Sequence, residues 1–373
     1  MDQNGKEPGV EWCLESASDS GNKWIVPIKP IPFTIGRSQD CDLTLLSKGT
    51  SRRHAQINIS GSMLWIRDLG STNGTFLNRK RITEAETLEP GDIIHFGNVL
   101  FSVRMIDPIH VGIRDTTETL LFGTSEILNN NLKSYAPEFK KMLQNRTVVP
   151  YFQPILDLSD NRIVGYEILG RIPKECKLPP NPIDLFNIAV SLDLEFELSS
   201  LFREEGIRQG IKLPGTPNLF MNTHPIELFQ IDELEKSLKK ISEFSLKNAI
   251  ILEISEKAIT DLKEMKRLSA ALKELNIGLA YDDFGSGQAR LIELAEFPPD
   301  FLKFDASIVR NIHLAPRRLH QLIDTFLNIS HDIGILTVAE GVECLEEGKT
   351  CKQLGFDCVQ GNFFGYPLPI DNY

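Results

Sequence analysis

VVPYFQPILDLSDNRIVGYEILGR, residues 148–171, decides the fold of the larger part of this chain. Two apolar runs within it, VVPYFQPIL and RIVGYEIL, are rich in β-branched and aromatic residues and read as strands. Only DLSDN joins them, too short for a crossover helix, so they are expected to pair as an antiparallel hairpin. Inside the second run sits Glu167, between Tyr166 and Ile168. A carboxylate in an apolar strand is costly unless a charge or a hydrogen bond meets it. Taken alone, these residues leave open whether Glu167 faces water or holds a ligand.

Beyond the hairpin the chain alternates strand and helix to its end. NLFMNT, AIILEIS, IGLAYDDF, FLKFD, ILTVAEG and CVQGNFF continue the strand series, mostly separated by amphipathic segments of helix length. Eight strands in this alternation predict a closed (β/α) barrel, modified by its antiparallel first strand. A helix, LKSYAPEFKKMLQ, opens this domain at about residue 131. Residues 10–107 have another texture: KWIVPI, PFTIGR, HAQINIS, MLWIRDL, GTFLN, DIIHFG and VLFSVRM alternate between turn residues. That pattern predicts an all-β sandwich. Residues 108–130, with RDTTET and GTSEILNNN, read as a linker, which leaves 131–373 to the barrel.

At 373 residues, two domains are the default expectation. A net charge of -11 argues against a surface for nucleic-acid polymers. The six cysteines are scattered, with no C-x-x-C pair, as expected of free thiols in a reducing cytoplasm. No apolar run is long enough to span a bilayer and the N-terminus lacks an export pattern, so a cytoplasmic protein without membrane insertion is expected.

In a barrel of this type chemistry gathers at the C-terminal ends of the strands. Here those ends carry Glu167, Asn222, Glu253, the pair Asp282 and Asp283, Lys303 with Asp305, Glu340 and Gln360. Carboxylates clustered in this way cannot all stay ionised without counter-charge. Oxygen donors without His or Cys select hard divalent ions, Mg²⁺ or Mn²⁺. Adjacent aspartates on one strand end can reach two ions, the arrangement for in-line attack at phosphorus. A lysine among them has a water or a phosphate oxygen to orient. The pattern points to metal-assisted phosphodiester hydrolysis. DDFG also has the look of a kinase metal motif, but no H-R-D element accompanies it.

Over roughly 131–373 the chain resembles the EAL family of cyclic di-GMP phosphodiesterases, through YFQPIL, YEILGR, FMNTHP, LEISE, YDDFGSG, LKFD, AEGVE and QGNFFGYPLP. The resemblance implies that Glu167, Asn222, Glu253 and Asp282 coordinate metal, with Asp283 bridging toward a second ion. Lys303 and Glu340 would help to activate the attacking water, with Gln360 nearby. Glu256 would brace the loop after the fifth strand, Arg171 and Gln153 would hold phosphate and guanine parts of the substrate, and Asp305 would support the lysine. The product implied is linear pGpG. Three departures stand out: Ile168 replaces the family's usual alanine, Gln288, Ala289 and Arg290 alter a loop associated with dimer contact and metal coupling, and NTHP replaces N-x-S. A homodimer through the barrel is left open.

The N-terminal region carries FTIGRSQDCDLTL, GTSRRHAQI and DLGSTNGTFLN. Arg37 offers a guanidinium fork suited to phosphate oxygens, and Ser51 and Arg52 add a hydroxyl and a cation. Asn73 and Gly74 form a turn able to meet an extended peptide's main chain. Across 10–107 these motifs resemble the forkhead-associated (FHA) domain, a reader of phosphothreonine peptides. The resemblance implies that Arg37 and Ser51 hold the phosphate, that Arg52, Thr72 and Asn73 hold the peptide, and that His54 braces the loops. The function expected is metal-dependent hydrolysis of cyclic di-GMP, localised or regulated by a phosphothreonine-bearing partner. The alternative is a cyclic di-GMP receptor that binds without turnover and signals through the FHA domain.

Overall fold

The computed structural model describes residues 11–17, 23–45, 47, 49–60, 63–78, 80–97, 99–106, 121–122, 134–244, 247–256, 258, 262–285 and 291–373. The chain divides into two compact units, broadly the residues before Pro137 and those from Pro137 onward.

The first unit is the expected sandwich of two sheets, each of six strands. One sheet runs in the order Lys23–Pro27, Glu11–Ala17, Val99–Ile106, Ile93–Phe96, Thr75–Leu77, Lys80–Arg81. The other runs Leu121–Phe122, Leu43–Leu45, Phe33–Gly36, Ala55–Ser60, Met63–Asp68, Glu86–Leu88. Strand periodicity builds the core: in MLWIRD, Leu64 and Ile66 turn inward while Met63 and Arg67 stay exposed. They meet Leu14, Phe33, Ile57, Phe96 and Phe101 between the sheets. Strands of two or three residues, such as Lys80–Arg81, show no period to read in a sequence. Leu121–Phe122, inside the stretch read as a linker, pairs in parallel with Leu43–Leu45.

The second unit is the barrel. Its strands are β1 (Val149–Asp157), β2 (Ile163–Arg171), β3 (Asn218–Asn222), β4 (Ile250–Ser255), β5 (Ile277–Phe284), β6 (Phe301–Phe304), β7 (Leu336–Ala339) and β8 (Cys358–Gln360). As the five-residue link predicts, β1 and β2 pair antiparallel, with Gln153 opposite Glu167. β1 also pairs antiparallel with β8, so it closes the barrel between them. The remaining neighbours from β2 to β8 are parallel. The opening helix is Ala136–Asn145, which buries Phe139 and Met142.

Parallel strands are covered on both faces, which explains unbroken apolar runs such as IILEI. Two cores follow. Leu252, Leu279, Leu302 and Ala339 face outward onto helices, among them Leu234, Leu268 and Leu327. Ile155, Phe220, Ile251, Ala280, Phe301, Val338 and Cys358 fill the barrel interior. Every strand except β2 contributes one buried residue to that inner layer, Val164 of β2 packs against it, and the layer sets the position of the site.

Candidate active site

Strand side chains alternate with a period of two, so the residue two positions beyond an interior one also points inward, a layer higher. Two beyond Phe220, Ile251, Ala280, Phe301, Val338 and Cys358 stand Asn222, Glu253, Asp282, Lys303, Glu340 and Gln360. On antiparallel β1 the count runs backward, from Ile155 to Gln153. Gln153 lies opposite Glu167, which takes the same level on β2. One apolar layer thus floors a ring of polar side chains at the C-terminal rim. Asp283 falls outside this series. Its backbone sits in the left-handed region at φ 59°, and its Oδ2 accepts a hydrogen bond from Ser255 Oγ at 2.9 Å.

Lys303 is the hub. Its ammonium is fully buried, 2.6 Å from Glu253, 2.7 Å from Glu340, 3.3 Å from Asp282 and 3.7 Å from Glu167. The two shortest approaches, to Glu253 and Glu340, are at the distance of charge-assisted contacts between an ammonium and a carboxylate. Burial alone would lower the lysine's pKa, but the surrounding carboxylates hold it well above its usual value. Burial and neighbouring carboxylates push Glu253 and Glu340 well above the ordinary carboxylate range, with Lys303 opposing. One cation therefore faces four acids, and further positive charge there would favour their ionised forms.

The donor set fits divalent cations. Both oxygens of Glu253 and Oδ1 of Asp282 are buried, and among the described residues the charged group that meets them is the Lys303 ammonium, 2.6 Å from Glu253 and 3.3 Å from Asp282. Oxygens of Asp282, Asp283 and Glu340 lie within 4.8 Å of one another, a second group able to hold an ion. Glu167 is oriented from both sides: Asn222 Nδ2 donates to its Oε1 at 2.8 Å and Gln360 Nε2 to its Oε2 at 2.6 Å.

Two cavities flank the Glu167–Asn222 pair. One, of about 280 Å³, is lined by Gln153, Glu167, Asp305, Glu340 and Gln360. The other, of about 260 Å³, is more apolar and is lined by Arg171, Phe186, Phe202, Asn222 and His224. Arg171 lies 5.9 Å from the Tyr151 ring centroid, and burial lowers its pKa. His224 stacks on Phe186 with centroids 4.9 Å apart, and burial holds it neutral with a pKa of about 4.

Asp305 departs from the support expected for the lysine. It caps the short helix Ala306–Val309, accepting the Ser307 N–H at 2.9 Å, and lies among the cavity residues. Glu256 Oε2 accepts the Gly285 N–H at 2.9 Å, at the edge of the loop after β5. Gln288, Ala289 and Arg290 lie outside the described residues. Ser255 escaped the sequence reading because a serine after an acidic strand carries no signal until Asp283 is seen beside it. Ile168 is buried in the outer core and covers Gly206; a Cβ on that glycine would lie 2.2 Å from Ile168 Cγ2.

In the sandwich, the loop residues Ser51, Thr72 and Asn73 come together. Ser51 Oγ accepts the Thr72 N–H at 3.0 Å, and Asn73 Nδ2 donates to the Gly49 carbonyl at 3.1 Å. His54 joins the loops, its Nδ1 accepting the Ser51 N–H and its Nε2 donating to the Gly74 carbonyl, both at 3.0 Å. Burial lowers its pKa and keeps it neutral for this task. Gly36, before Arg37, admits the Arg52 carbonyl, which would lie 2.3 Å from any Cβ there. Asp68, which the motifs did not single out, holds the 69–74 loop by accepting from Gly70 and Ser71 N–H and from the Ser71 and Thr75 hydroxyls.

Comparison with known proteins agrees with this geometry. Residues 137–367 match the EAL domain and residues 33–97 the FHA domain. The probable cyclic di-GMP phosphodiesterase PdeN of Escherichia coli (strain K12) is 29% identical over 232 residues, 60% of this chain and 44% of that protein. The cyclic di-GMP phosphodiesterase RocR of Pseudomonas aeruginosa is 29% identical over 242 residues, 62% of this chain and 60% of its own length. The chain thus spans less than two thirds of either relative. Among solved structures, an EAL domain protein from Listeria monocytogenes superposes with a TM-score of 0.55 at 27% identity, covering 64% of this chain and 95% of that one. Klebsiella pneumoniae BlrP1, in complex with manganese and cyclic di-GMP, gives 0.52 at 26% identity, covering 60% and 57%. With the match spanning more than half of its length, the chain belongs to the EAL domain family, with an FHA domain ahead of the barrel.

Proposed function

We propose that the barrel hydrolyses cyclic di-GMP to linear pGpG with two Mg²⁺ or Mn²⁺ ions, and that the sandwich binds a phosphothreonine peptide of a partner protein. The observation that carries this reading is the excess of acid around Lys303, where one ammonium answers the buried oxygens of Glu253 and Asp282 together with Glu340 and Glu167. Two relatives named for cyclic di-GMP cleavage, and a neighbour holding manganese with that dinucleotide, support it.

Glu167, Asn222, Glu253 and Asp282 would hold one ion, and Asp283 and Glu340, together with Asp282, the other. Bound divalent ions would lower the pKa of a water and neutralise the oxygens of the scissile phosphate. Lys303 favours the ionised form of the carboxylates around it and offers its ammonium to the attacking water, with Glu340 2.7 Å away to accept a proton. Gln360 and Gln153 are linked at 3.2 Å and hold Glu167 in register. The two cavities beside Glu167 and Asn222 give room for two nucleotide halves, with Arg171 in one and Gln153 and Asp305 in the other. Glu256 would steady the loop after β5 through Gly285. In the sandwich, Arg37 and Ser51 would take the phosphate and Arg52, Thr72 and Asn73 the peptide main chain. Both ligands belong to a cytoplasmic signalling protein.

The test is the full chain incubated with Mn²⁺ and cyclic di-GMP, with products separated by chromatography and Glu167→Ala run beside it. Formation of pGpG by the native chain and not by the variant is expected. Tight binding without product would make the barrel a receptor instead.

A further inference from the structure

Behind Asn222 lies an ion pair that the chemistry above does not use. Arg203, on the helix Glu195–Gly210, and Glu227, in the turn Pro225–Phe229, are 2% and 0% exposed. The guanidinium meets the carboxylate through both amino groups, Nη1 to Oε2 at 2.7 Å and Nη2 to Oε1 at 2.5 Å. Ser199 completes the cluster at 2.8 Å from each partner. Two further contacts leave it. Arg203 Nη1 donates to the Asn222 carbonyl at 3.2 Å, and Glu227 Oε2 accepts the His224 N–H at 2.8 Å. The pair therefore holds the main chain on both sides of Thr223, just where β3 ends.

Stability is a weak reason to keep such a pair, because apolar residues of similar volume often serve a buried site as well or better. Its contacts suggest another. Asn222 Nδ2 is committed to Glu167, so the amide oxygen is the atom of this side chain left to meet a cation. A single hydrogen bond does not fix an amide at a strand end, where the ladder is running out. We infer that Arg203 and Glu227 are positioning residues that clamp the 222–224 segment and so hold Asn222 in the pose of a metal ligand. The inference rests on the reading of Asn222 as a ligand and extends that reading to groups that would hold no ion themselves. Groups that orient ligands in this way are typically worth roughly 10–100-fold in metal affinity.

The experiment compares the full chain with the double variant Arg203→Met/Glu227→Leu, which removes both charges and keeps the buried volume. Mn²⁺ affinity is measured calorimetrically without nucleotide, and amide hydrogen exchange of residues 222–227 is followed in metal-free protein. The double variant is expected to bind Mn²⁺ at least about tenfold more weakly, in line with other groups that orient ligands. Exchange in that segment should rise. Glu227→Gln keeps an acceptor for the His224 N–H and gives a second arm should the double variant fail to fold; a smaller loss of Mn²⁺ affinity is expected. Wild-type affinity and exchange in whichever variants fold overturn the inference. Asn222→Ala separates the two levels. If it loses Mn²⁺ while the clamp variants do not, only the clamp falls. If it keeps Mn²⁺, the ligand reading falls and the clamp with it.

Discussion

Lys303 shows how much one side chain decides. It is the cation among four acids, so replacing it leaves buried negative charge uncompensated. Lys303→Met should destabilise metal-free protein by about 3–5 kcal/mol, with added Mn²⁺ restoring part of the loss. Urea titrations with and without the ion measure this; equal stability of variant and native chain would sink it. Glu253 and Glu340 make a second prediction. Their pKa values are raised in the fold, so native protein binds more protons than unfolded chain once pH passes the usual carboxylate value of 4.5. Metal-free stability is thus lost as pH climbs from there toward the raised values. Metal binding needs both acids ionised, so it gains over the same window. The rise in Tm produced by Mn²⁺ should therefore grow from pH 5 to pH 8; a constant rise would refute it. These acids were legible in the sequence as strand-end residues. Their protonation was not, because it depends on burial and on how close five groups stand.

At the scale of elements, the packing of β2 on the helix Glu195–Gly210 explains Ile168. Its β-branched side chain occupies the space that a side chain on Gly206 would need. Gly206→Ala should cost about 1–3 kcal/mol through overpacking. Ile168→Ala should cost about 2–5 kcal/mol through the cavity it leaves. Combined, the two should be more stable than Ile168→Ala alone, since the new methyl fills part of that space. Denaturation of all three variants reads the coupling, and strictly additive costs would show that the contact is not shared. Ile168 was visible as a departure within YEILGR, and its packing role followed from strand alternation. The partner glycine lies on another element and no local pattern pointed to it. Asp283 is the companion case. A strict count of two along β5 would point it away from the ring, and its left-handed backbone with the bond to Ser255 fixes where it goes instead.

For the whole molecule, two units with separate cores predict separable responses. Arg37→Ala in the full chain should abolish binding of a phosphothreonine peptide, read by fluorescence anisotropy, while Mn²⁺ still raises the barrel's unfolding temperature. Loss of both would show that the variant damages more than the peptide site. No helix among the described residues is long and apolar enough to cross a membrane. By itself the sequence determined the two textures, the antiparallel opening of the barrel and the strand-end residues, because these depend on periods of two and 3.6 and on one short link. The acids' encirclement of a single buried lysine, the hold of Arg203 and Glu227 on the Asn222 segment, and the fit of Ile168 over Gly206 were decided only by tertiary structure. Each joins residues distant in the chain, and the energies involved depend on burial and on distances of a few ångströms, which no local pattern of residue types encodes.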